Sequence, residues 1–198
     1  RLPSRLPQDD GINSPGRQHL ASSVHALGHP IAILAPLTEQ SAVGMKLTLR
    51  DDMAFEEHTD IAEKIRTDES APLRVFSLDG SPCDCVIVAI DGGLRSLAPE
   101  IRPWLCISGI NRGPNLSIDV LHSGTVSAAR EASLYGLPSL SVSLATYSHQ
   151  DYSQSIEATL ALVERLSELV TVEPSNILRP EGSRMRPIRG TGTNSLRS

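Results

Sequence analysis

Two rhythms of apolar residues alternate along the chain. Short, nearly continuous apolar runs stand at "IAILAP" (31–36), "RVFSL" (74–78), "WLCISGIN" (104–111) and "LPSLSVSL" (137–144). Each is bounded by Gly, Pro or Ser, the pattern of strands buried on both faces. Between the runs the spacing turns helical. Leu20, Val24 and Leu27 recur over Arg17–Leu27 and Gly28 supplies a stop. "SPCDCVIVAIDGGL" opens with Pro82 at a first helical position and Asp84 in the first turn. "SGTVSAAREASLYG" is closed by Gly136, and Gln154–Val170 places Ile156, Leu160, Val163 and Leu166 on one face. "MKLTL" (45–49) reads as one more strand, and the acidic stretch 50–74 as an irregular surface excursion with a short helix near Ile61–Ile65.

Strands alternating with helices predict an α/β fold, a mostly parallel sheet flanked by helices. The opening "RLPSRLP" does not fit a buried strand, because its prolines cannot donate to a ladder. The first strand is therefore expected to be incomplete, and the domain is expected to span residues 8–172. Residues 174–198 carry five arginines, one Glu and little apolar surface, and are expected to be a flexible or aberrant tail. The chain begins with Arg rather than Met, so a fragment or a mis-spliced gene product is expected.

Composition narrows the classes. A chain of 198 residues with 39% hydrophobic and 21% charged residues reads as one ordinary globular domain. The net charge of −5 provides no basic field for nucleic acid. No run reaches membrane-span length and no signal-peptide core appears, so a soluble, cytoplasmic protein is expected. Cys83, Cys85 and Cys106 have neither the even count of a disulfide framework nor the paired spacing of a zinc site, and are read as small buried hydrophobes.

Chemistry gathers in loops. In open parallel sheets ligands bind at the carboxyl ends of strands. "QDDG" (8–11), "TEQSAVG" (38–44) and "SGINRGPN" (108–115) are each placed to reach that edge. Asp9 and Asp10 bring carboxylates, Ser41 a hydroxyl and Asn111 an amide oxygen, a donor set for a hard cation such as Mg²⁺ or Mn²⁺. Ser123, Gly124 and Thr125 stand where a helix begins, so free backbone N–H groups and the positive end of the helix dipole suit a phosphate. A plain Ser123 N-cap accounts for part of that pattern. Asn115 and Ser117 crowd the same connection beyond what capping needs.

"DDGINSPG", "SGINRGPN", "GSPCDCV" and "HSGTVSAAREASLYGLPSLSVSL" resemble the SurE family of survival proteins, in the family's order, over about residues 8–145. The resemblance implies a Rossmann-like domain, a divalent metal, hydrolysis of nucleoside 5′- and 3′-monophosphates, and dimers or tetramers. Carried over by motif, the metal ligands fall on Asp9, Asp10, Ser41 and Asn111. Asp9, Asp10 and Asn111 are expected to carry the catalysis, and Asn115, Ser123, Gly124 and Thr125 to bind the phosphate. This sequence departs from the family's usual forms at Gln8 (Asn), Leu37 (Asp), Ala42 (Gly) and His122 (Tyr). His122 is read as a surface residue or, less simply, as a general acid. The alternative function is a SurE-like binding or structural protein impaired in catalysis. A dinucleotide-binding Rossmann protein is disfavoured, since no Gly-x-Gly-x-x-Gly follows a strand.

Overall fold

A computed structural model describes residues 11–49 and 52–169, and residues 189–190 as backbone. The elements run in the order α1 (Pro15–His25), β1 (Ile31–Pro36), β2 (Ala54–Glu57), α2 (Thr59–Ile65), β3 (Leu73–Leu78) and α3 (Pro82–Val88). A π-turn over Ala89–Gly93 joins α3 to α4 (Leu94–Leu97). Then come β4 (Cys106–Asn111), α5 (Asp119–His122), α6 (Gly124–Leu134), β5 (Ser139–Ser143), α7 (Ser153–Leu169) and β6 (Arg189–Gly190). Apart from the strand predicted at 45–49, the predicted strands and the main helices are present. α1 starts and ends two residues earlier than the periodicity suggests: Pro15 occupies its first turn, and the chain leaves the helix before Gly28 takes a left-handed φ of +80°.

Two ladders form where one sheet is expected. β1 pairs in parallel with β3, β3 antiparallel with β2, and β2 in parallel with β6. β4 and β5 form a separate parallel pair. β1 and β4 do not pair with each other among the described residues. The expected incomplete first strand, and Gln8, Asp9 and Asp10 with it, lie outside the described residues, as does the Arg-rich tail apart from the two residues of β6.

Helices tie the ladders together. From α1, Ala21 packs with Ile33, Ala35, Leu73 and Val75 on the first ladder. On the same helix Leu20 and Val24 pack with Ile110 and Leu144 on the second, where α7 adds Ile156 and Leu160. Across the other side, Phe76 meets Leu94, Ala98 and Ile101, and Leu78 meets Cys85 and Val88. One four-residue spacing, Leu20 to Val24, thus serves the second ladder while the neighbouring stripe through Ala21 serves the first.

Two expectations are corrected. "MKLTL" is not a strand. Its backbone is strapped to the start of α3: Ser81 Oγ donates to the Lys46 carbonyl at 2.6 Å, and Thr48 N and Oγ1 donate to the Asp84 carboxylate at 3.0 and 2.8 Å. Side chains that cap the helix outcompete strand pairing for this segment. The stretch 50–74 is also more than a surface excursion. It holds β2 and the predicted helix α2, whose Ile61, Ala62 and Ile65 are core residues.

Candidate functional site

β1 and β4 both end at a cavity of about 320 Å³. β1 delivers the loop with Gln40, Ser41 and Ala42 to its wall, and β4 delivers Asn111. Asn111 arrives there through a bulge. Ser108 pairs with Ser141 but Asn111 pairs with Ser143, so β4 carries one extra residue over that interval. Gly109 makes the bulge possible. Its φ is +139°, and a Cβ there would lie 2.5 Å from the Val142 carbonyl oxygen. The Ser-Gly-Ile-Asn motif therefore encodes a turn of the backbone that aims an amide at the cavity.

The amides are held by short bonds. Asn111 Nδ2 donates to the Gly113 carbonyl at 2.9 Å, which orients its Oδ1 towards Thr125, whose Oγ1 donates to it at 3.3 Å. Asn115 Nδ2 donates to Ser143 Oγ at 2.7 Å. Ser123 is the N-cap of α6, its Oγ accepting from Val126 N at 3.2 Å. Gly124 lets the loop after β1 come close: a Cβ at this position would sit 3.1 Å from the Gln40 carbonyl oxygen. The cap and the phosphate-type helix start are one and the same turn, so capping and ligand binding do not compete for it.

The structure thus brings together Ser41, Asn111, Asn115, Ser123, Gly124 and Thr125 around one cavity. Asp9 and Asp10 lie outside the described residues. Their neighbour Gly11 reaches the same edge, since Ile12 N donates to the Pro36 carbonyl at 3.2 Å, at the end of β1. His122 is exposed at the end of α5 and also lines the cavity. Ala42, where the family pattern has Gly, adopts φ +55°, a left-handed conformation that costs a residue with a Cβ about 1 kcal/mol.

Sequence reasoning missed Arg17, Arg112 and Tyr147, which line the same cavity. Arg17 was the most legible of them. It lies in the first turn of the helix that follows the Asp-Asp-Gly loop, and its Nη1 donates to the Gly11 carbonyl. Two guanidinium groups on the wall suit a bidentate anion better than lysines would.

The donor chemistry favours a hard cation. Ser41 and Asn111 offer oxygens, and no cluster of three or more His, Cys, Asp or Glu side chains gathers among the described residues. Cys85 and Cys106 also reach the wall, but burial pushes the Cys106 thiol up to about 11 and the Cys85 thiol higher still. Thiols held protonated at neutral pH are poor ligands for a soft metal. All three cysteines are free; Cys83 and Cys85 are buried as expected, whereas Cys106 is half-buried.

The chain is similar to known proteins over most of its length. The family model described as survival protein SurE matches residues 6–191. The 5′-nucleotidase SurE of Syntrophotalea carbinolica is 41% identical over 190 residues, covering 94% of this chain and 68% of the relative. That of a Synechococcus strain is 39% identical over 163 residues, covering 82% of this chain and 58% of the relative. The crystal structure of the SurE protein from Aquifex aeolicus superposes with a TM-score of 0.63 at 29% identity, over 84% of this chain and 60% of that one. The chain therefore spans 58–68% of the length of these relatives.

Proposed function

The chain belongs to the SurE family of survival proteins, and from that premise we propose that it is a metal-dependent phosphate monoester hydrolase acting on nucleoside monophosphates. One observation carries the reading. Two amides, a capped helix start and two arginines line one cavity at the carboxyl ends of β1 and β4. Relatives named 5′-nucleotidase SurE support the reaction class.

Asp9, Asp10, Ser41 and Asn111 would hold a divalent cation, Mg²⁺ or Mn²⁺, in keeping with hard oxygen donors. When bound, that cation supplies charge neutralisation on the phosphate and a more acidic water. The chain's own groups do the rest. The backbone N–H groups of Gly124 and Thr125 and the positive end of α6 receive the phosphate oxygens, and Asn115 adds a donor. Arg17 and Arg112 draw the dianion into the cavity and keep it oriented. Asp9 or Asp10 takes the proton from the attacking water as general base. The same reading gives a homodimer or homotetramer, which sedimentation velocity tests.

Phosphate release from a panel of nucleoside monophosphates tests the function. Activity should vanish with a chelator and return with Mn²⁺ or Mg²⁺, and Asn111→Ala should lower kcat at least about a hundredfold. Chelator-resistant turnover at the full rate would refute the metal-dependent reading.

A further inference from the structure

Resting on the nucleotidase reading, we propose that Tyr147 is a specificity-determining residue that stacks against the nucleobase, the planar leaving-group side of the substrate. Its ring is the one Phe, Tyr or Trp side chain on the cavity wall among the described residues. It is 63% exposed, so the ring is accessible to a ligand entering the cavity.

The ring is a built platform rather than a loose side chain. It lies on the backbone of Gly113, where a Cβ would be 1.9 Å from Tyr147 Cε1, so only glycine allows the contact. Gly113 is buried and has φ +102°. Its carbonyl accepts from Asn111 Nδ2, so the loop that aims Asn111 at the cavity also supports the ring. The loop carrying Tyr147 has local side-chain bonds of its own. Ser148 N donates to Thr146 Oγ1 at 3.1 Å, the two hydroxyls lie 2.8 Å apart, and Ser148 Oγ lies 2.9 Å from His149 Nδ1. The ring therefore touches backbone at Gly113 while most of the side chain stays exposed at the cavity.

The remaining wall near this loop is polar: Asn111, Arg112, Asn115 and the start of α6. A phosphate satisfies those donors, and a sugar alone offers nothing planar to an aromatic face. A base does, whatever its identity, because every base has a π-face. Tyr147 then selects nucleotides over small phosphate esters without selecting among bases.

The test compares adenosine 5′-monophosphate with glycerol 2-phosphate in wild type, Tyr147→Ala and Tyr147→Phe, by turnover and by equilibrium dialysis. Expected is a roughly tenfold rise in KM and Kd for the nucleotide in Tyr147→Ala, with kcat and the glycerol phosphate constants changed less than twofold. Tyr147→Phe should restore nucleotide binding. Equal losses for both esters, or no loss for either, in an enzyme that still hydrolyses phosphate esters would overturn the stacking role alone. Wild-type protein that hydrolyses neither ester, yet binds the nucleotide through Tyr147, would refute the nucleotidase reading and leave the platform standing. Absence of nucleotide binding in wild type would refute both.

Discussion

Glu131 shows how a single carboxyl can set the pH response of this fold. It is only 8% exposed, on α6, and its pKa is raised first by burial and then by the nearby Asp84 carboxylate. A carboxyl whose folded pKa lies above its unfolded value disfavours folding wherever the unfolded chain is ionised. The penalty is absent in acid, grows as pH rises from the ordinary Glu value near ~4.3, and is complete above the folded pKa. Glu131→Gln should therefore melt higher than wild type at pH 7.5, and the two midpoints should converge at pH 4. A variant that is less stable at pH 7.5 would mean that the ionised carboxylate is a stabilising partner. At this scale the cavity residues Ser41, Asn111, Asn115, Ser123, Gly124 and Thr125 were legible, because polar side chains and glycines crowded into short loops serve no core. Arg17 was legible only through its place in the first turn after the Asp-Asp-Gly loop. Tyr147 reaches the cavity from outside the motif loops, and only packing reveals it.

Among elements, the start of α3 does more than begin a helix. Ser81 and Asp84 form a reciprocal capping box, with Ser81 N donating to Asp84 Oδ2 at 2.8 Å and Asp84 N to Ser81 Oγ at 3.1 Å. The same Asp84 carboxylate, buried at 3% exposure, also accepts twice from Thr48. That carboxylate joins the helix to the strap that "MKLTL" became. Asp84→Ala should cost about 2–4 kcal/mol, since it leaves the Ser81 and Thr48 donors without their acceptor. Thr48→Ala removes one hydroxyl and should cost about 1 kcal/mol. Urea unfolding of both variants checks the order, and equal costs would show that the strap, not the cap, carries the stability. The strand-like alternation of 45–49 misled because local side-chain bonds decide the segment, whereas pattern records only which faces could be buried. β2 was missed for a simpler reason. Four residues, two of them exposed glutamates, are too short and too polar to stand out from an acidic stretch.

At the level of the whole molecule, no hydrogen-bonded pairing joins the two ladders among the described residues. Residues of β1 and β4 line the candidate site, and they also line a second, more apolar cavity of about 240 Å³ further along the same strands. Ile33 and Leu34 stand on one side of it, Cys106 and Ile107 on the other, with Ala21 of α1 and Ala89 and Ile90 at the ends of the helical layers. An apolar slot between two parallel strand edges, covered by helices, has the shape and chemistry of a place for one more parallel strand. Such a strand would satisfy the facing backbone groups of β1 and β4 and fuse the ladders into a single sheet. Residues 1–8 include Pro3 and Pro7, which lack the N–H that such a strand must donate. Replacing residues 1–8 by a Val- and Ile-rich strand ending in Asn should therefore raise the thermal midpoint by about 2–4 °C or more, because one or more kcal/mol of ladder and apolar burial is added. Soluble yield and metal-dependent phosphate release should rise with it, since the graft leads directly into Asp9 and Asp10. A control graft of the same length in Ser and Gly separates the strand from mere chain length, and should do neither. If both grafts leave the midpoint and the activity unchanged, the ladders are already complete without a partner strand, and the slot is packing that the fold tolerates.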